Sequence, residues 1–218
     1  MLLKSNMELE VVNKQGQPTG RTIELPDDIF GIEPNEHVMY LAVKQYLAGL
    51  RSGTHKTLEV SDISGSTRKL HKQKGTGGSR KGSIKSPLFR GGATIFGPRP
   101  RKYNFKLNKK VVALSKRSAL SVKAQNNSIK VIEDFDIETP KTKTYLQFLN
   151  DLGVNNQKSL LITPDLDLNV YLSSRNIPNT DVLEVMSFNA YDLLNTNVVL
   201  ISEKSIEKIT DLLSTEKA

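Results

Sequence analysis

The sequence contains no cysteine among its 218 residues. The chain can therefore form no disulfide, no cysteine-ligated zinc site and no thiol nucleophile. Histidine is also scarce: His37, His55 and His71 are too far apart to match a local metal-binding spacing. These absences fit a reducing, intracellular environment and disfavour a metal site. We expect no metal and no cofactor.

Long apolar runs are missing as well. The first twelve residues, MLLKSNMELEVV, contain no extended hydrophobic stretch, so they do not predict a signal peptide. No segment approaches the roughly 18 consecutive apolar residues that a membrane-spanning helix needs. We therefore expect a soluble, cytoplasmic protein without a membrane partner.

Acidic residues are absent from one long internal segment. Between Asp62 and Glu133 lie 70 residues without a single carboxylate side chain, and they hold 18 of the 31 Lys and Arg residues. The remaining 148 residues carry 13 basic and 23 acidic side chains, a net charge of −10. Such an asymmetry predicts a polyanionic partner that contacts one region of the molecule, and a flexible solubilising linker is the plain alternative.

Outside the basic segment, the apolar patterns predict an α/β protein. Residues 9–12 and 21–25 read as a β-hairpin, and helices are predicted over 35–50 and 108–125. From residue 128 onward, short apolar strands alternate with helices. Strands are predicted at 128–135, 158–164, 181–188 and 197–202, and helices at 139–153, 168–176, 190–195 and 203–214. This alternation favours a parallel, Rossmann-like sheet covered by helices.

The periodic pattern stops in the middle of the chain. From Ser64 to Asn104 there are only eight apolar side chains, against eight Gly and three Pro. We therefore predict a globular body formed by residues 1–50 and 105–218, with residues 51–104 as a long irregular basic loop. Fully extended, its two legs can reach about 70–90 Å. A loop of this length in a compact domain is usually either functional or disordered.

The loop and its surroundings carry only partial matches to enzymatic motifs. KGTGGSRKGS resembles a phosphate-binding loop, but Ser83 stands where the motif requires Lys, and Gly75 and Gly77 are followed by Arg80 where a third Gly is needed. Asp165 and the nearby Asp167 follow a predicted strand, yet TPDLDLN is also typical of a turn and helix start. There is no G-x-S-x-G elbow. We predict no enzyme, although a nucleic-acid-processing enzyme and a polybasic chromatin or membrane-surface protein remain as alternatives.

The loop has what nucleic-acid binding uses. Lys and Arg neutralise phosphates, and Gly lets the backbone approach a crowded surface. Phe89, Phe96 and Tyr103 offer stacking faces. Helix 108–125 adds a basic face, which consists of Lys109, Lys110, Lys116, Arg117 and Lys123. Composition leaves RNA and DNA equally open, and it predicts a loop that becomes ordered against a polyanion.

The segment KQKGTGGSRKGSIKSPLFRGGATIFGPRPRKYNFKLNKK resembles the signature of the large-subunit ribosomal protein four family. The shared pieces include Lys74-Gly75-Thr76-Gly77, Gly82-Ser83-Ile84-Lys85-Ser86-Pro87, Arg90-Gly91-Gly92, Phe96-Gly97-Pro98, Pro100-Arg101 and Leu107-Asn108-Lys109-Lys110. The likeness covers essentially the whole chain. It departs from the common bacterial pattern at His71 and Lys72, and again at Gly78-Ser79-Arg80.

The resemblance implies a structural constituent of the large ribosomal subunit that binds large-subunit rRNA early in assembly, in the cytoplasm. Its partners would be rRNA, neighbouring large-subunit proteins and the nascent polypeptide, because the loop tip lines the peptide exit tunnel in this family. The expected rRNA-binding residues are Arg68, Lys69, His71, Lys72, Lys74, Gly75, Gly77, Arg80, Lys81, Lys85, Phe89, Arg90, Arg99, Arg101, Lys102, Lys109, Lys110, Lys116 and Arg117. The expected tunnel-facing tip is Lys72, Gln73, Lys74, Gly75, Thr76, Gly77, Gly78, Ser79, Arg80 and Lys81.

Overall fold

The structure, a computed structural model, describes residues 7–134, 136–137 and 139–214. The chain divides into two compact units. Met1–Leu47 together with Lys106–Ala218 forms the first, which we call the body. Ala48–Phe105 forms the second, which we call the arm.

Six strands and seven helices are present in the described residues. The strands are β1 (Met7–Val12), β2 (Pro18–Leu25), β3 (Ile129–Ile132), β4 (Ser159–Thr163), β5 (Thr180–Glu184) and β6 (Val198–Ser202). The helices are α1 (Asp27–Phe30), α2 (Glu36–Gly49), α3 (Lys109–Gln125), α4 (Thr142–Asp151), α5 (Leu168–Ser174), α6 (Ala190–Asn195) and α7 (Glu203–Leu213).

The six strands form one sheet in the order β2-β1-β3-β6-β4-β5. Every neighbouring pair is parallel except β1 and β2, which form the predicted antiparallel hairpin at one edge. In register, Val131 of β3 lies opposite Val11 of β1 and Ile201 of β6. The α/β class is confirmed, and the sheet is mostly parallel, with the antiparallel hairpin strand β2 at its edge.

Helices cover both faces of this sheet. Along the fully buried strand β4, Leu160 packs into a core with α1, α2, α3, α6 and α7, while its neighbour Leu161 packs into a second core with α4 and α5. Successive strand residues point to opposite faces, so a strand buried on both sides is apolar throughout. Each fully buried Leu side chain stabilises the fold by about 1.5–3 kcal/mol.

Local signals in the sequence explain where several elements begin. The side chain of Asn13 accepts hydrogen bonds from the backbone N–H groups of Gln15 and Gln17, both at 2.9 Å, which fixes the hairpin turn. Asn35 accepts a hydrogen bond from the Val38 N–H at 3.1 Å and caps α2, as the sequence predicts. Most predicted elements from residue 128 onward are also confirmed, with ends that differ by a few residues.

Three differences concern element length and burial. The four-residue helix α1 was not predicted, since it is too short to show a helical period. Strand β3 ends at Ile132 rather than at 135, and residue 135 lies outside the described residues. The helix predicted over 35–50 ends at Gly49: Met39 is buried within it, but Leu50 lies just beyond its end and is 63% exposed.

Candidate nucleic-acid interface

The arm consists of two antiparallel segments, an outgoing leg before the tip and a returning leg after it. Residues 50–108, all of which are described, contain no helix or strand. A few widely spaced hydrogen bonds, which we call rungs, connect the two legs. The backbone rungs are Arg101 N–H to Gly53 O, Thr57 N–H to Pro98 O and Thr94 N–H to Leu58 O, each at 3.1 Å, and Leu70 N–H to Gly82 O at 3.2 Å. The Ser83 hydroxyl adds a side-chain rung by donating to Ser66 O at 2.9 Å.

The predicted tunnel-facing tip lies beyond the rung that joins Leu70 to Gly82. Residues 71–80 are all exposed, and Lys81 is half-buried. Two glycines in the tip, Gly75 and Gly77, have φ angles of +83° and +65°. Glycine adopts this conformation without steric cost, so the tip can turn tightly with no bulky side chain at those two positions.

The arm is strongly cationic. Residues 51–104 contain 13 Lys and Arg residues but only two carboxylates, Glu59 and Asp62. Both carboxylates are already paired, because Arg99 lies 2.5 Å from Glu59 and Lys56 lies 2.8 Å from Asp62. The other cations of the arm therefore have no carboxylate partner within it, and their charge is free to meet an external anion.

The ring of Tyr103 contacts two of these cations, Arg51 and Arg101, at the base of the arm. The guanidinium carbons of Arg51 and Arg101 lie 3.7 Å and 4.6 Å from the centre of the Tyr103 ring, within cation–π range. The Tyr103 hydroxyl lies 3.2 Å from Nε2 of His55. A hydrogen bond from Arg101 and the charges of both guanidinium groups lower the pKa of Tyr103.

This cluster contains residues that the sequence did not single out. The sequence predicts Arg101 in the interface and Tyr103 as a stacking face, but it does not predict Arg51 or His55. Their contact with Tyr103 depends on the Arg101–Gly53 rung, which aligns the two legs. The only sequence signal is a lone cation on one leg and an Arg-Lys-Tyr run on the other, with no periodicity to relate them.

Helix α3 presents its cations unevenly. Lys109 and Lys110 are exposed in its first turn, whereas Lys116 and Arg117 are half-buried. The Lys116 ammonium lies 4.6 Å from the centre of the Phe188 ring. Burial lowers the pKa of Lys116, with a smaller opposing influence from the charge of Asp192. The carboxyl-terminal half of the expected basic face is therefore less accessible than its first turn.

The expectation that Lys123 belongs to this basic face is wrong. Its side chain is buried, and its ammonium group donates a hydrogen bond to the Thr196 carbonyl at the end of α6. Burial also lowers the pKa of Lys123. A helical wheel places Lys123 among the polar residues, but α6 packs against α3 there and its terminal carbonyl needs a donor.

The predicted rRNA-binding residues differ in exposure. The exposed members are Arg68, Lys69, His71, Lys72, Lys74, Gly75, Gly77, Arg80, Arg90, Arg99, Arg101, Lys102, Lys109 and Lys110. The half-buried members are Lys81, Lys85, Phe89, Lys116 and Arg117. Within the arm, the Lys81 ammonium lies 5.7 Å from the centre of the Phe89 ring, whereas Arg99 is engaged by Glu59.

The two aspartates that could have suggested catalysis have structural partners. Asp165 is paired with the Lys208 ammonium at 2.7 Å, and Asp167 caps α5 by accepting a hydrogen bond from the Asn169 N–H at 2.8 Å. The turn and helix-start interpretation of this segment is confirmed. The described ranges contain no group of three or more His, Asp or Glu residues placed to hold a metal ion. Among the described helices, none combines the length and apolar character needed to cross a bilayer.

A weakly acidic α/β body joined to a cationic, irregular arm is typical of proteins of the nucleic-acid-binding class. Comparison with known proteins agrees, since the model of the ribosomal protein L4/L1 family matches residues 23–212. The large ribosomal subunit protein uL4 of Amoebophilus asiaticus is 55% identical over 205 residues, which is 94% of this chain and 98% of that protein. The uL4 proteins of Phocaeicola vulgatus and Porphyromonas gingivalis are 51% and 52% identical, over 95% and 94% of this chain and 100% and 99% of their own lengths.

Matches of this extent establish the relationship. The chain belongs to the ribosomal protein L4/L1 family. The family resemblance seen in the arm sequence is thereby confirmed.

Proposed function

We propose that this protein is a structural, non-catalytic constituent of the large ribosomal subunit, and that its arm binds large-subunit rRNA. The relatives that match nearly the whole chain are named as large ribosomal subunit proteins. The observation that carries the proposal is the charge of the arm, whose two carboxylates are both ion-paired while its other cations have no carboxylate partner within it.

The arm would bind RNA mainly by neutralising phosphates. Each Lys or Arg that replaces a condensed counterion gains the entropy of its release, so affinity falls as salt rises. The rungs between the legs partly preorganise these cations, and preorganisation reduces the conformational entropy that is lost on binding. Arg51, Arg101 and Tyr103 would add a fixed cationic and aromatic surface at the base of the arm.

The tip, residues 72–81, would form part of the wall of the peptide exit tunnel and meet the nascent polypeptide. Its support is the family membership, its exposure, and the two glycines with positive φ, which keep the turn narrow. A narrow cationic tip suits a crowded RNA cavity, where bulky side chains would clash with backbone phosphates.

The body would remain outside the rRNA and contact neighbouring large-subunit proteins, in ribosomes in the cytoplasm. Its helix-covered, mostly parallel sheet supports a Rossmann-like description, and residues 51–104 would act as its separate RNA-binding loop. The body carries 18 basic and 21 acidic side chains, a net charge of −3, so it has no net positive charge that would draw it nonspecifically onto RNA.

Hydrogen–deuterium exchange tests this proposal directly. The full chain would be measured alone, with large-subunit rRNA and with small-subunit rRNA at the same salt concentration. In the free protein, we expect fast exchange across residues 66–104 apart from the N–H groups of the rungs, and strong protection with large-subunit rRNA only. Equal protection by both RNAs, or none by either, would contradict the proposal.

A further inference from the structure

A three-residue bulge interrupts the returning leg of the arm. Two successive rungs join Thr57 to Pro98 and Leu58 to Thr94. Between these two hydrogen bonds the outgoing leg spans one residue step, from 57 to 58, while the returning leg spans four, from 94 to 98. Residues 95–97 are looped out between the rungs, in the manner of an enlarged β-bulge, a feature that redirects side chains.

Phe96 lies at the centre of this bulge and projects fully into solvent. Its relative exposure is 103%, which is higher than that of any other large apolar side chain in the described residues. Its φ angle is +53°. The other non-glycine residues with positive φ in the described part of the chain are Asn127 and Asn179, and asparagine tolerates this conformation far better than phenylalanine does.

The surroundings of the bulge hold this unfavourable conformation in place. Gly97 packs so closely on Thr57 that a Cβ atom at position 97 would lie 1.9 Å from the threonine hydroxyl oxygen. The Arg99–Glu59 ion pair at 2.5 Å joins the two legs again just beyond Pro98. A residue kept in a sparsely populated backbone conformation by its neighbours is a mark of a functional position.

The space beside the bulge is chemically suited to RNA. An open hollow of about 1310 Å³ is bordered by Phe96. Its lining combines apolar residues, among them Val60 and Ile95, with the polar side chains of His55, Glu59, Lys85, Arg99 and Arg101. Its only carboxylate, Glu59, is neutralised by Arg99. Lys85 and Arg101 have no carboxylate partner in the arm. An exposed aromatic ring beside two such cations matches the stacking platforms that bind unpaired nucleotides, whereas an apolar protein partner would leave them without anions.

The geometry points to Phe96 as a base-stacking residue that inserts against an unpaired nucleotide of the rRNA, with the phosphates beside that base held by the cations of the hollow. This inference rests on the proposed function, because it specifies how the arm contacts its RNA. It assigns one defined, sequence-tolerant stacking contact to Phe96, in addition to the phosphate neutralisation proposed for the cations of the arm.

The test uses the full chain and exploits the absence of tryptophan from the sequence. Phe96→Trp introduces a single tryptophan that can still stack, and Phe96→Leu keeps an apolar side chain without a ring. Leu88→Ala is the matched control, because Leu88 is also in the arm and 93% exposed. Affinity for large-subunit rRNA is measured over a salt series, and tryptophan emission is followed as the RNA is added.

We expect Phe96→Trp to retain wild-type affinity and its emission to be quenched by the RNA. Phe96→Leu should bind about 5- to 150-fold more weakly, with an unchanged salt slope, since a lost base stack removes no phosphate contact. Leu88→Ala should bind within about twofold of wild type, because the expected loss of affinity comes from the aromatic stack and not from exposed apolar area.

Several results would overturn the inference. One is wild-type affinity in Phe96→Leu, and another is an equal loss in Leu88→Ala. A third is tryptophan emission that responds to rRNA-free large-subunit proteins but not to rRNA, which would identify a protein partner. All three leave the proposed function intact. By contrast, a wild-type protein that does not prefer large-subunit over small-subunit rRNA would refute the proposed function itself.

Discussion

Replacing Arg80, Lys81 and Lys85 with Ala should reduce the salt dependence of rRNA binding by a calculable amount. Arg80 and Lys81 belong to the tip, where Arg80 is exposed and Lys81 is half-buried, and Lys85 is half-buried on the returning leg. No carboxylate of the arm pairs with any of the three, because Glu59 and Asp62 are occupied by other cations. No ion pair within the arm therefore has to break before these side chains meet phosphates.

The expected magnitude follows from counterion release. Each phosphate contact contributes about 0.7–0.9 to the slope of log K against log salt concentration, so three contacts contribute about 2.1–2.7. Between 50 and 200 mM salt, the logarithm of the concentration rises by about 0.6. The affinity deficit of the triple variant should therefore be about 20- to 40-fold larger at the lower salt concentration than at the higher one.

Filter binding or fluorescence anisotropy over this salt range measures the two slopes. Lys143→Ala, Lys204→Ala and Lys208→Ala, combined in one variant, form the matched control, because they remove three body lysines, two of which pair with Asp134 and Asp165. The control slope should equal that of wild type. An unchanged slope in the arm variant would remove its three residues from the phosphate interface, and an equal reduction in both variants would show a nonspecific effect of net charge.

Three further predictions concern stability. In urea unfolding, Gly16→Ala should destabilise the body by at least about 1 kcal/mol more than Gly20→Ala. Both glycines have φ above +70°, so the backbone strain of an alanine is similar at the two positions. Only a Cβ at position 16 would meet a backbone atom, the carbonyl oxygen of Asp151, at 2.2 Å. Equal costs would contradict this packing. Because burial lowers the pKa of Lys123, the unfolded chain binds more protons between the folded pKa and 10.5, so wild type should gain stability relative to Lys123→Met as the pH rises through that window. Parallel pH profiles would refute that reasoning. Deleting residues 66–90 removes no buried apolar side chain and should shift the melting temperature by less than about 3 °C, whereas loss of cooperative melting in calorimetry would show that the arm supports the core.

The helices and strands of the body could be predicted well because the residues that form its core recur at regular spacings along the sequence. Helix α3 was expected over 108–125 and spans Lys109–Gln125, since its apolar residues recur on one face. Strand β4 is apolar throughout because it is buried on both sides. Position on a helical wheel was less informative than burial, as Lys123 shows: the wheel describes one helix and omits the neighbouring α6 that covers it.

The arm could be predicted by composition but not in its geometry. A missing periodicity and an excess of Lys, Arg and Gly identified residues 51–104 as an irregular cationic segment. The alignment of its legs depends on a few rungs between distant residues, and no repeating pattern encodes them. The clustering of Arg51 with Tyr103 and the extrusion of Phe96 both follow from that alignment, so neither could be derived from the residues alone.

Because only a few hydrogen bonds hold the arm together, substitutions in the arm and in the body should affect different quantities: RNA binding for the arm and the free energy of unfolding for the body. In the arm, Ala93 is the one apolar residue that is buried, and a typical intramolecular hydrogen bond adds only about 0.5–1.5 kcal/mol net. The arm therefore has little internal stabilisation to set against its conformational entropy, and under the proposed function ordering it would draw on the free energy of RNA binding. A substitution that breaks a rung should consequently weaken RNA binding while leaving the unfolding of the body unchanged. Substitutions in the sheet core should do the reverse, because that core is built from side chains of the body.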